Sequence, residues 1–173
     1  KIFGIINGQK YRGFDEELKL CRDMVKETLN GITGIDKEVH ICHWPNKESV
    51  NFGTGVEKLV PSIFDMGADN LVVEYKASGS GDPILLAKEY PGDLKISLGV
   101  LDVRSHNIET PEEIVKQVEG IVKYIEPIRI NLVPDCGFAC GMLHKFPLDV
   151  AFKKIKSMVD ASLLLRAKYG LKI

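Results

Sequence analysis

The sequence lacks the features of disulfide-rich and nucleic-acid-binding proteins. Its 173 residues include four irregularly spaced cysteines and a single tryptophan. Sparse cysteines of this kind do not form a disulfide framework, and they indicate the reduced thiols of an intracellular, cytoplasmic enzyme. The formal net charge of -1 argues against nucleic acid as a partner, because phosphate binding requires a basic face.

Long hydrophobic runs are also missing. No uninterrupted apolar stretch approaches the roughly 18 residues of a membrane span, and no secretory signal pattern opens the chain. We therefore expect no membrane association. The length predicts one domain over residues 1–173. Because the first residue is Lys1 rather than methionine, we expect a fragment or a processed product.

The apolar pattern alternates between the periods of strands and helices. It predicts strands at 39–42, 70–75, 94–103 and 129–133, and helices at 14–29, 56–64, 83–88, 110–125 and 147–168. Strands that alternate with helices imply a parallel α/β sheet of four βα units. The spacing places Cys21 on the buried face of the first helix. It also predicts that the last helix packs through four inward-facing side chains, Phe152, Ile155, Val159 and Leu163.

Three short strings carry the chemistry, and each lies where a predicted strand ends. They are His40-Ile-Cys42, the single residue Glu74, and the loop containing Cys136-Gly137. Active sites of parallel α/β proteins gather at the carboxyl ends of strands. Because His40 and Cys42 are two residues apart on a strand, they point to the same face. Two thiols, one imidazole and one carboxylate are ligands that zinc accepts.

Each string also has a simpler explanation. Cys42 suits a small buried side chain, and His40 suits a hydrogen-bonded core histidine. Glu74 suits a salt bridge to a neighbour such as Lys76, and Cys136 suits a turn residue without a role. A plain α/β domain without metal would require all of them to lie at strand ends by chance.

Other residues compete for a place in the site. Cys140 is a rival ligand to Cys136, four residues farther along the chain. His43 is expected on the opposite side of its strand, whereas His106 and His144 fall in predicted loops within reach of a substrate. The glycine-rich loop at 79–81 is a weak candidate for an anion cradle, because it has no P-loop context.

The ligand types predict thiol chemistry. Two thiolates and an imidazole leave a bound zinc nearly neutral, which favours holding a substrate thiol over activating water. Coordination lowers the pKa of that thiol, so a thiolate forms at neutral pH. The predicted reaction is the transfer of an alkyl group to a thiol.

Taken together, the strings resemble the catalytic C-terminal domain of cobalamin-independent methionine synthase. The resemblance rests on His40-x-Cys42, the strand that ends at Glu74, the segment Gly99-Val-Leu-Asp102-Val-Arg-Ser105, and Val133-Pro-Asp-Cys-Gly137, and it spans residues 14–168. It implies a (β/α)8 TIM barrel of the methionine synthase/uroporphyrinogen decarboxylase-like superfamily. It further implies zinc held by His40, Cys42, Glu74 and Cys136, homocysteine as the acceptor, and the activity of a 5-methyltetrahydropteroyltriglutamate–homocysteine methyltransferase.

The chain departs from this pattern in two respects. Family barrels have eight strands and only four are predicted here, so we expect the C-terminal half, closed by an N-terminal half or by a second copy. In folate-using members a histidine, paired with the aspartate, stands where this chain has Arg104, and an arginine supplies no proton near neutral pH. We assign Asp102 and Arg104 as catalytic residues, Asp102 orienting Arg104.

The hypothesis that follows is zinc-dependent methyl transfer to a homocysteine-like thiol, with a folate or a methyl-corrinoid protein as donor. Two alternatives stay open. One is a corrinoid-linked or coenzyme M type thiol alkyltransferase. The other is a non-catalytic half-barrel that retains the zinc site.

Overall fold

A computed structural model describes residues 5–6, 9–10, 12–42, 56–77, 80–139 and 146–172. These residues form six strands, four α-helices and three 3₁₀ turns. In chain order the strands and helices are β1 (Ile5–Ile6), β2 (Gln9–Lys10), α1 (Phe14–Leu29), β3 (Glu38–Ile41), β4 (Asn70–Val73), α2 (Pro83–Lys88), β5 (Lys95–Leu101), α3 (Pro111–Ile121), β6 (Ile130–Pro134) and α4 (Leu148–Tyr169); the 3₁₀ turns are Val56–Leu59, Ser62–Asp65 and Pro127–Arg129.

The main sheet has four parallel strands in the order β3-β4-β5-β6. They correspond to the four strands that the sequence predicts, which confirms the α/β class. The short strands β1 and β2 pair antiparallel with each other. Within the described residues, β3 and β6 each pair on one side only, so the sheet has two open edges.

Helix α3 and the strands behind it form the core. Leu71 and Val73 of β4 and Ile96 and Leu98 of β5 are fully buried, and α3 covers the same layer with apolar side chains such as Ile114. The start of α3 is fixed by a capping box, which the sequence Thr110-Pro-Glu-Glu113 provides. The Glu113 backbone N–H donates to Thr110 Oγ1 at 3.2 Å, and the Thr110 N–H donates to Glu113 Oε2 at 2.9 Å.

The helix predicted over 56–64 is wrong as a single α-helix. Two 3₁₀ turns take its place, with Pro61 between them. Proline has no N–H to donate and disfavours helical backbone in the residue before it, so one continuous helix cannot form. The segment ends at Gly67, which takes a left-handed backbone with φ of 73° that glycine adopts readily.

The prediction that Cys21 lies in the core is also wrong. No residue of α1 is buried, and Cys21 is exposed. The helix rests on the second 3₁₀ turn, where Lys26 Nζ lies 2.5 Å from Asp65 Oδ1. Its apolar positions are therefore only partly covered in the described structure.

The prediction for the face of α4 is wrong as well. The four side chains expected to point inward are 41–70% exposed, namely Phe152, Ile155, Val159 and Leu163. The side chains that are buried are Ala151, Lys154, Ser157, Ala161 and Leu165. Two polar members of the buried set are bonded to Glu109, which orients the helix. Among the residues that the structure describes, the apolar face of α4 is thus left uncovered next to the open edge of β6.

None of the helices in the described ranges combines the length and the hydropathy that crossing a membrane would require.

Candidate metal centre

The candidate metal centre lies at the carboxyl ends of the two outer strands. His40 belongs to β3, Cys42 follows β3 directly, and Cys136 follows β6. Their donor atoms all lie within 4.8 Å of one another, and Cys136 Sγ is 3.4 Å from His40 Nε2. Because β4 and β5 separate these strands in the sheet, this proximity indicates a strongly curved sheet. The structure thus brings together three of the four residues predicted as ligands.

Asp135 fixes the loop that presents Cys136. It is fully buried, and its carboxylate accepts hydrogen bonds from the backbone N–H groups of residues 75–77 at 3.0, 3.0 and 2.6 Å. Its own N–H donates to the Leu101 carbonyl at 3.0 Å. Asp135 therefore joins the ends of β4, β5 and β6, and it sets the positions of Cys136 and Glu74 relative to each other.

Gly99 provides the space for this carboxylate. A Cβ atom at position 99 would overlap Asp135 Oδ1 and would lie 3.0 Å from the Val73 carbonyl oxygen. Burial raises the pKa of the Asp135 carboxyl, and the three backbone N–H donors offset part of that effect. The string containing Cys136 included Asp135, but no local pattern indicated its partners, because they lie about 60 residues away along the chain.

The thiol of Cys42 stays protonated at neutral pH while no cation is near. Burial raises its pKa to about 11, and the neighbouring Cys136 and the charge of Glu74 add to the shift, whereas Arg104 opposes it. A divalent cation reverses this preference, because metal binding favours the thiolate form. The chemistry of these donors thus fits a metal ion such as zinc.

Glu74 lies beside this group but is not part of it. Its side chain is 3% exposed, and its Oε1 accepts from Arg104 Nη2 at 2.6 Å. The sequence left a salt bridge as the alternative explanation of Glu74, and the structure contains one, with Arg104 as the partner. Among the described residues, the cluster of metal-binding donors comprises His40, Cys42 and Cys136.

Asp102 and Arg104 lie on the loop after β5. Asp102 Oδ1 accepts from the backbone N–H of Arg104 at 2.8 Å, and the Asp102 N–H donates to Glu109 Oε1 at 2.9 Å. Asp102 thus contacts the backbone of Arg104, whereas the guanidinium group of Arg104 contacts Glu74. Sequence reasoning did not include Glu109 in the site.

Several candidates of the sequence analysis fall elsewhere. His43, Cys140, His144 and Gly79 lie outside the described residues. His106 is exposed and stacks edge-on against Phe146, with ring centroids 5.1 Å apart.

Comparison with known proteins gives a consistent family. Residues 31–163 match the family model described as "Cobalamin-independent synthase, Catalytic domain". A methionine synthase of Sulfurisphaera tokodaii is 35% identical over 85 residues, which is 49% of this chain and 23% of the relative. A methionine synthase of Saccharolobus islandicus is 33% identical over 84 residues, which is 49% of this chain and 24% of the relative.

The fold has a solved counterpart. A B12-independent methionine synthase from a Shewanella species, in complex with selenomethionine, superimposes with a TM-score of 0.69 at 17% identity. The match covers 88% of this chain and 47% of that chain. This chain therefore spans about half of the solved chain and about a quarter of the curated relatives, consistent with the predicted half of a TIM barrel. On the family match over 31–163, the chain belongs to the cobalamin-independent methionine synthase family, within its catalytic domain.

Proposed function

We propose that the chain carries the thiol-activating half of a zinc-dependent methyltransferase, with homocysteine as the acceptor. The observation that carries the proposal is the cluster of His40, Cys42 and Cys136, whose donor atoms lie within 4.8 Å of one another in a chain of this family. Two sulfurs and one nitrogen are the donors expected of a zinc site that keeps a position for a substrate.

In this proposal His40, Cys42 and Cys136 hold the ion, and Glu74 is the fourth, replaceable ligand. A bound zinc supplies the stabilisation of the substrate thiolate at neutral pH. Glu74 already has a cationic partner in Arg104, 2.6 Å away. The carboxylate therefore stays paired after a substrate thiol takes its place, which lowers the cost of leaving a buried charge.

The chemistry of Arg104 limits which methyl donor the protein can use. It is anchored through its backbone to Asp102 and through its guanidinium group to Glu74. An arginine does not give up a proton near neutral pH, so this residue does not protonate a departing folate nitrogen. A methyl-corrinoid donor needs no such proton. We therefore place a methyl-corrinoid protein ahead of a methylated folate as the donor.

A second polypeptide segment completes the sheet in this proposal. Within the described part of the chain, strands β3 and β6 have open edges and the apolar face of α4 is uncovered. A groove of about 290 Å³ runs beside β6 and is lined by side chains of α3 and α4 such as Val118 and Val159. Exposed apolar surface and open edges of this kind favour association. An N-terminal half-barrel is the first candidate, because the match covers only 47% of the solved chain, and a second copy of this chain is the other.

The test is methionine formation from homocysteine with methylcobalamin or a methylated folate, measured by chromatography on wild-type protein and on Cys136→Ser. We expect methyl transfer from methylcobalamin that the variant abolishes. Faster methylation of coenzyme M than of homocysteine would support the thiol alkyltransferase alternative. Robust turnover with the folate would show that our choice of donor is wrong. Protein that binds zinc but transfers no methyl group, even with an N-terminal half-barrel added, would contradict the proposed activity and support the non-catalytic alternative.

A further inference from the structure

A buried ion pair joins α4 to the loop that carries Arg104. Lys154 is fully buried and Glu109 is 5% exposed, and Lys154 Nζ lies 2.7 Å from Glu109 Oε2. Ser157, one turn farther along α4, donates its hydroxyl to the Glu109 carbonyl. A charged pair this deep is costly to desolvate, and apolar side chains of similar size would anchor a helix as well.

Unlike apolar side chains, the ion pair is linked by hydrogen bonds to the loop that carries Arg104. The other carboxylate oxygen of Glu109 accepts from the Asp102 N–H at 2.9 Å and so closes the loop 102–109 upon itself. Asp102 in turn accepts from the Arg104 N–H at 2.8 Å, and Arg104 donates to Glu74 at 2.6 Å. A continuous set of polar contacts therefore runs from α4 to the carboxylate beside the metal-binding cluster.

We propose that Lys154 and Glu109 are positioning residues for the metal centre. They hold the loop so that Arg104 stays on Glu74, and they thereby limit how strongly that carboxylate attracts a metal ion. The inference rests on the metal site of the proposed function. Lys154 and Glu109 do not touch the metal-binding donors, and they act through Asp102 and Arg104.

The test is a titration with cobalt(II), whose absorption bands report thiolate ligands and coordination geometry, combined with urea unfolding of each variant. Lys154→Met loosens the loop, so Arg104 competes less for Glu74. We expect the cobalt Kd to fall by about fivefold, within the range of coupling found in shared polar networks. Arg104→Met is expected to lower the Kd at least as much. In the Arg104→Met background, Lys154→Met should change the Kd by less than about twofold.

Two further variants keep the test decisive. Lys168→Met removes the ion pair between Lys168 of α4 and Glu119 of α3, which lies on the protein surface, and it should leave the Kd unchanged. If Lys154→Met does not fold, the double variant Lys154→Met/Glu109→Leu removes both charges of the pair, and the Asp102 N–H loses its acceptor, so the loop is loosened at the same point. We expect the same fall in Kd from it.

The outcomes separate the two proposals. Wild-type protein that binds no cobalt overturns the metal site and, with it, the role of Lys154. Normal cobalt binding that Lys154→Met leaves unchanged or weakens overturns the positioning role alone. An equal effect of Lys154→Met with and without Arg104 also overturns it, because that pattern indicates a general loss of packing.

Discussion

Replacing Gly99 by alanine tests whether Asp135 organises the site. The new Cβ would overlap the Asp135 carboxylate and would lie 2.9 Å from Asp135 Cα and 3.0 Å from the Val73 carbonyl oxygen. Two of these three neighbours are backbone atoms, so a side-chain rotation cannot relieve the contact. Overpacking of this kind costs about 1–3 kcal/mol, and each hydrogen bond that the carboxylate loses costs about 1.5–3 kcal/mol more. We therefore expect Gly99→Ala to lower the free energy of unfolding by about 2.5 kcal/mol or more.

The assay is urea unfolding, with the free energy extrapolated to zero denaturant. Gly137→Ala is the matched control, because no atom of the described residues lies within 4 Å of a Cβ atom at position 137, in the loop that presents Cys136. Gly99→Ala should also weaken cobalt binding, since it displaces the loop that presents Cys136, whereas Gly137→Ala should not. In an Asp135→Ala background the cost of Gly99→Ala should shrink. A stability within about 0.5 kcal/mol of the Gly137→Ala protein would refute the reasoning.

Three other predictions concern the thiols and α4. In metal-free protein Cys42 should be alkylated slowly at neutral pH, and the rate should rise with pH until about 11, because its pKa is raised to that value and only the thiolate reacts; fast alkylation at pH 8, resolved by peptide mass spectrometry, would contradict this. Cys140→Ser should keep the metal, and its loss in elemental analysis would transfer the ligand role from Cys136 to Cys140. Phe152→Ser should change the free energy of unfolding of the isolated chain by less than about 0.5 kcal/mol, whereas Leu165→Ala should cost about 2–5 kcal/mol, as urea unfolding would show; equal losses would mean that the apolar face of α4 is already covered.

Local signals gave reliable predictions wherever the structure is determined locally. The four strands follow from short apolar runs, and the start of α3 follows from Thr110 and Glu113, which bond to each other. The grouping of His40, Cys42 and Cys136 could also be anticipated, because the carboxyl ends of parallel strands meet at one edge.

The wrong predictions concern features that depend on contacts between distant parts of the chain. The apolar residues of α4 predicted an inward face that includes Phe152, but burial of Lys154 against Glu109 turns that face outward. Periodicity shows that a helix has two faces, and it cannot show which of them meets the rest of the chain. The prediction for Cys21 was wrong for a related reason. In the described structure too few residues pack against α1 to bury any of its side chains.

The partners of the buried carboxylates could not be predicted from the sequence either. Glu74 was correctly expected at a strand end, but nothing in the local pattern indicated that Arg104, thirty residues farther on, holds its carboxylate. The same applies to Asp135, whose three donors come from the loop after β4.

Zinc content per chain, measured by elemental analysis on freshly purified protein together with its solution mass, is the decisive experiment. We expect about one zinc ion per chain. Cys42→Ser and Cys136→Ser should each abolish its retention, whereas Cys21→Ser, which alters an exposed thiol of α1, should not. Folded, monodisperse protein without zinc, or equal zinc content in all three variants, would contradict the assignment of the metal centre.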